Sequence, residues 1–145
     1  MILQRVSLIT IGAWNLPLLR SFYKGLGWTE TDWSSDNYSV FNTVGGMLSI
    51  WSIEEMIKDI DLPKPESPNF FRGITLSINT DSPEQVDEII NSARQAGAII
   101  IQEPHNALWG GRSGGFLDPE NNYWEVAFNP NSKFDERGTM IEMNG

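Results

Sequence analysis

Residues 73–97 read GITLSINTDSPEQVDEIINSARQAG. Ile74, Leu76 and Ile78 alternate with Thr75, Ser77 and Asn79, the period-2 pattern of a strand with one apolar face. Ser82-Pro83-Glu84-Gln85 then opens a helix, with a serine cap, a proline at the first helical position and a glutamine placed to close a capping box. Val86, Ile89, Ile90, Ala93 and Ala96 recur at helical spacing as its buried stripe, and Gly97 ends it. Downstream, residues 98–101, 114–117 and 123–128 read as three more strands, with Asp118-Pro119-Glu120-Asn121-Asn122 as the turn before the last.

The same order occurs upstream. Residues 6–12 alternate around an apolar set, and Asn15 can cap a helix whose Leu18, Leu19, Phe22, Tyr23 and Leu26 share a face, with Gly27 as its left-handed stop. Short β segments at 28–31, 38–42 and 47–51 follow. Ser52 with Glu55 offers a capping box for a short helix carrying Ile53, Met56, Ile57 and Ile60. Gly27 and Gly97 stand 70 residues apart, each after a strand and a helix, which reads as an internal duplication. Pro63, Pro65 and Pro68 break both helix and ladder between the copies. The expected fold class is therefore α+β: two tandem βαβββ modules in a curled, mixed or antiparallel sheet with a cleft, helices on the outer face. The expected layout is one domain over 1–145, with modules at 1–61 and 73–130, a linker at 62–72 and a tail at 131–145. A duplicated unit exposes an apolar face it cannot cover alone, so modules pair within a chain or between two, and a homodimer is expected.

Composition narrows the partners. A net charge of −9 repels phosphate backbones and anionic lipid surfaces, so neither nucleic acid nor a membrane is expected. The absence of cysteine removes disulfides, thiolate metal sites and thiol nucleophiles. The start MILQRVSLITIGAW has no apolar run long enough for an export or membrane segment, and the cytoplasm is the expected location. Six tryptophans suit either core filling or the gripping of a flat ligand. An acidic balance suits a cationic ligand, or solubility alone.

Two passages carry a family resemblance. Ser21-Phe22-Tyr23-Lys24-Gly25-Leu26-Gly27-Trp28 resembles the FY…LGW signature of the vicinal oxygen chelate superfamily, which includes glyoxalase I, extradiol dioxygenases and bleomycin-resistance proteins. Residues 116–126, FLDPENNYWEV, resemble its closing hairpin. The resemblance implies a divalent metal held by four side chains, one on the first and one on the last strand of each module. Carried onto this chain, those positions are Leu8, Ser49, Thr75 or its neighbour, and Glu125. One carboxylate among a leucine and hydroxyls does not hold a divalent ion, so no metal and no other cofactor is expected. His105, the only histidine, falls outside these strands and reads as a loop residue.

If Glu125 faces the cleft, alternation sets Tyr123 beside it, with Met47, Ser49 and Trp51 across the cleft and Leu8, Thr10, Thr75, Ser77 and Asn79 as its floor. In such a lining Glu125 can anchor a ligand amine, serve as a general base, or bond a backbone turn. Trp51 and Trp109 can offer faces to a cationic or aromatic ligand, and Arg112, in a glycine-rich turn that lacks a phosphate-loop ending, is expected near the cleft mouth. The leading expectation is metal-independent binding or sequestration of a small aromatic or cationic molecule. The alternative is a lyase, isomerase or dioxygenase of the same superfamily using Glu125 as base or metal ligand.

Overall fold

A computed structural model describes residues 2–143, so Met1 and the last two residues of the expected tail, Asn144 and Gly145, lie outside the described residues. The first module runs β1 (Leu8–Ala13), α1 (Leu16–Gly25), β2 (Tyr38–Phe41), β3 (Met47–Ser52) and α2 (Ile53–Ile60). The second runs β4 (Thr75–Asn79), α3 (Pro83–Ala96), β5 (Ile99–Asn106), β6 (Arg112–Leu117) and β7 (Tyr123–Phe128). A terminal hairpin, β8 (Ser132–Phe134) and β9 (Met140–Met143), follows. The segment expected as a strand at 28–31 is reduced to a single bridge between Glu30 and Phe41.

The sheet orders are β1-β3-β2 and β4-β7-β6-β5. In each module the first strand runs parallel to the last, and the other pairings are antiparallel. This is a mixed α+β architecture, as the alternating strands require. Because β1 and β4 belong to separate sheets, a seam without ladder hydrogen bonds separates the modules.

Capping explains where the helices begin. Asn15 Oδ1 accepts from Leu18 N at 3.1 Å. Ser82 and Gln85 complete the capping box of α3, and Gly97 ends that helix at φ 108°. Ser52 caps α2 by position only, with no side-chain bond, so the box expected with Glu55 does not form. Leu16 is buried on α1 with Leu19, Phe22 and Tyr23, whereas Leu18, expected in the stripe, falls on its solvent flank and is exposed. α1 and α3 pack together over the outer face with Leu19, Phe22, Tyr23, Val86, Ile90, Phe116 and Val126 between them and the sheets. α2 lies on the opposite face. A Cβ on Gly12 would come 2.5 Å from Ile53 Cδ1, so the helix rests directly on the backbone of β1.

The turn before β7 fastens the modules together. Asp118 is fully buried and accepts from Tyr23 Oη at 2.5 Å, Asn122 Nδ2 at 2.8 Å, Glu120 N at 2.9 Å and Asn122 N at 3.0 Å. Tyr23 Oη in turn accepts from Trp124 Nε1 at 2.9 Å. Glu120 accepts from Trp14 N at 2.9 Å and Asn15 N at 2.6 Å, bonding the chain just ahead of α1. Burial pushes the Glu120 carboxyl above its ordinary value, against the opposing pull of those two amides. Arg72, at the end of the linker, donates to Glu120 O and Asn122 Oδ1 and lies over the rings of Trp14 and Phe70.

Candidate functional site

A cavity of about 1020 Å³ opens at one end of the seam between β1 and β4. Period-2 alternation within one sheet sends side chains to one face or the other. At an unpaired edge both sets reach the gap. Leu8, Met47, Thr75, Ser77 and Asn79, from the face expected to floor the cleft, line this cavity together with Trp28, Phe41 and Trp124 from the helix side. The loop at residues 42–46 and, from the terminal hairpin, Phe134, Gly138 and Met140 form its rim.

Its base is aromatic. Trp28 stands edge-on to Trp124 with centroids 5.7 Å apart and is tilted against Phe41 at 6.2 Å. Behind them Tyr23 stacks on Trp28 at 5.7 Å. Burial first, and then the charge of Asp118, raise the Tyr23 hydroxyl well above its usual value, so it stays a donor to Asp118. Glu30 is the charged residue in the cavity wall. Its Oε2 accepts from Ser39 Oγ at 2.8 Å and Arg20 Nε at 3.0 Å. Desolvation pushes the Glu30 carboxyl up, but the Ser39 bond and the Arg20 charge outweigh it and hold it below the ordinary glutamate value.

The remaining expected residues are placed elsewhere. Thr10 and Tyr123 line a separate gap of about 120 Å³ further along the seam. Ser49 is fully buried with its hydroxyl 2.6 Å from that of Thr10. Trp51 is half-buried opposite Gly12 and Tyr38 and does not line the cavity. Trp109 is 49% exposed, and its ring lies where a side chain on Gly111 would stand. Arg112 is not at the cleft mouth. It shares parity with the buried Phe116 and binds Asp87 of α3 through two bonds of 2.7 and 2.8 Å.

Glu125 is exposed and does not line the cavity, so the enclosure expected around it is absent. It pairs with Ser77, whose hydroxyl donates to it at 3.5 Å, the long limit of a hydrogen bond. His105 lies in β5, exposed, its Nδ1 2.9 Å from Glu103 O. Glu30, Trp28, Phe41 and Trp124 are the site residues that sequence reasoning missed.

The metal implied by the resemblance fails a donor test. Leu8 offers carbon, Ser49 Oγ is committed to Thr10, and Thr75 and Ser77 offer neutral hydroxyls beside one exposed carboxylate. Among the described residues no group of three or more His, Cys, Asp or Glu side chains is placed to hold an ion. These residues do not fit a divalent cation that needs at least three protein ligands.

The duplicated mixed sheets and the cavity at their seam define a protein of the glyoxalase type of fold. The chain belongs to the glyoxalase/bleomycin resistance protein/dioxygenase superfamily, whose family model matches residues 8–126. A glyoxalase-related enzyme from Fulvimarina pelagi superposes with a TM-score of 0.87 at 24% identity, covering 98% of this chain and 100% of that one. A family enzyme from Burkholderia phytofirmans PsJN gives 0.76 at 21% identity, over 86% and 98% of the two chains. A lactoylglutathione lyase from Agrobacterium tumefaciens gives 0.66 at 18% identity, over 88% and 96%. At these identities the likeness is one of fold. No curated protein matched the sequence. Among the described residues no helix is long and apolar enough to cross a membrane.

Proposed function

We propose that the cavity binds a small aromatic or cationic molecule and does so without a metal ion or other cofactor. One observation carries this reading: Trp28, Phe41 and Trp124 converge on a cavity of about 1020 Å³ in which the family's first ligand position is a leucine. Apolar and aromatic walls with a few polar groups are the usual lining of small-molecule sites. Titration with cationic and neutral aromatic compounds should quench tryptophan emission saturably, with at most trace metal in the purified protein by elemental analysis. A flat emission response across the panel defeats the binding proposal, and one bound divalent ion per chain defeats the metal-free part.

An enzyme reading keeps one support. Ser77 lines the cavity and its hydroxyl reaches Glu125, so a carboxylate lies one side chain away from a bound molecule. If Glu125 is a base, Glu125→Gln abolishes turnover of a substrate while leaving its binding intact; if the chain only binds, the substitution changes neither.

The proposal also includes self-association as a homodimer in the cytoplasm. Phe71, Ile74, Ile99 and Ile101 are each more than half exposed on a single chain, an apolar load that a second copy would cover. Sedimentation at micromolar concentration should give twice the chain mass; a monomer there rejects this part alone.

A further inference from the structure

We infer that Glu30 is the polar anchor of the cavity, and that its ligand is an aromatic molecule carrying an O–H or N–H donor instead of a fixed cation. The inference deepens the binding role proposed above and rests on it. The argument turns on which carboxylate oxygen is free. Oε2 is committed to Arg20 Nε and Ser39 Oγ at 3.0 and 2.8 Å. Oε1 meets the Lys24 ammonium at 3.7 Å, longer than a hydrogen bond, and that lysine is largely in solvent. A carboxylate has room for about four donors, so even with the nearby Ser34 hydroxyl counted beside Arg20 and Ser39, Glu30 retains acceptor capacity in a side chain that is only 18% exposed.

Charge separates the ligand classes. Arg20, itself 19% exposed, already neutralises Glu30, and Lys24 adds a second, screened positive charge. A quaternary cation entering here gains little Coulomb attraction, whereas a donor gains a hydrogen bond to an ionised acceptor. The neighbouring Thr31 adds no second acceptor. It lines the cavity, but its Oγ1 is enclosed and out of reach of a bound molecule, so the acceptor on offer at this wall is the Glu30 carboxylate. Trp28, two residues before Glu30, supplies a ring face, so the aromatic body and the donor of one molecule can be satisfied together.

The test uses the full chain and three probes of similar size: 2-naphthol, which has a donor; 2-methoxynaphthalene, which has none; and 1-methylquinolinium, a cation without a donor. The native protein should bind 2-naphthol at least about tenfold more tightly than either of the others. In Glu30→Gln the amide oxygen is held toward Arg20 and Ser39, which leaves an NH₂ where Oε1 stood. The preference for 2-naphthol over its methyl ether should then vanish or reverse, while the thermal midpoint shows that the fold persists. Arg20→Met leaves Glu30 facing only the screened charge of Lys24 and should tighten 1-methylquinolinium by about tenfold. Equal affinity of the native protein for 2-naphthol and the ether, or an unchanged preference in Glu30→Gln, overturns the anchor and spares the cavity's aromatic role. Failure of all three probes to bind the native protein overturns both.

Discussion

Asp118→Ala should lower the stability of the chain by about 3–5 kcal/mol, because several buried donors lose their acceptor at once. The carboxylate accepts from the Tyr23 hydroxyl, the Asn122 side chain and two backbone amides, and it has no exposure to water that could replace them. Each orphaned group costs about 1–3 kcal/mol, less where the turn relaxes to admit water. Asp118→Asn should cost less, since one oxygen survives, yet its NH₂ must face a donor on one side. Urea unfolding followed by far-UV circular dichroism would show the midpoint falling with the slope unchanged. A loss under about 1 kcal/mol would mean that the turn does not fasten the modules as described. The consequence reaches the cavity, because Tyr23 also receives the Trp124 indole, and Trp124 and Trp28 form the aromatic base.

The second large effect falls on binding. Trp28→Leu should weaken any aromatic ligand of the cavity by about tenfold, since a ring pair contributes about 0.5–1.5 kcal/mol beyond the area it buries. Trp28 is only partly buried, and leucine keeps an apolar side chain against Tyr23 and Phe41, so folding survives. Trp33, 64% exposed and outside the cavity, is the matched control: Trp33→Leu should leave affinity unchanged. Competition or calorimetry with 2-naphthol avoids relying on the emission of the residue removed. Equal losses in both variants would place the ligand elsewhere.

Much of the fold was readable from local chemistry. The strand at Tyr123–Phe128 follows from alternation after a turn-forming run, and α3 from a complete capping box. These signals are local, and tertiary context agrees with them. Arg112 shows what was readable but not read: with the strand extended back from 114 to 112, its shared parity with Phe116 places it on the helix side, toward Asp87. The cavity itself was not legible in the same way. Parity says which face of a sheet a residue takes, but not whether two sheet edges join. The open seam between β1 and β4 is a long-range outcome, and it is what admits Trp28 and Phe41 alongside Leu8 and Ser77. Glu30 gave no signal either, since its partners Arg20 and Ser39 approach it only through folding.

The central claim is that an aromatic ligand enters the cavity at this seam. It is met most directly by following the tryptophan indole N–H resonances of the ¹⁵N-labelled chain during titration with 2-naphthol. The indoles of Trp28 and Trp124 should shift saturably and together, while that of Trp33 stays in place. Saturable shifts confined to Trp33, Trp51 or Trp109, with Trp28 and Trp124 unmoved, would contradict it.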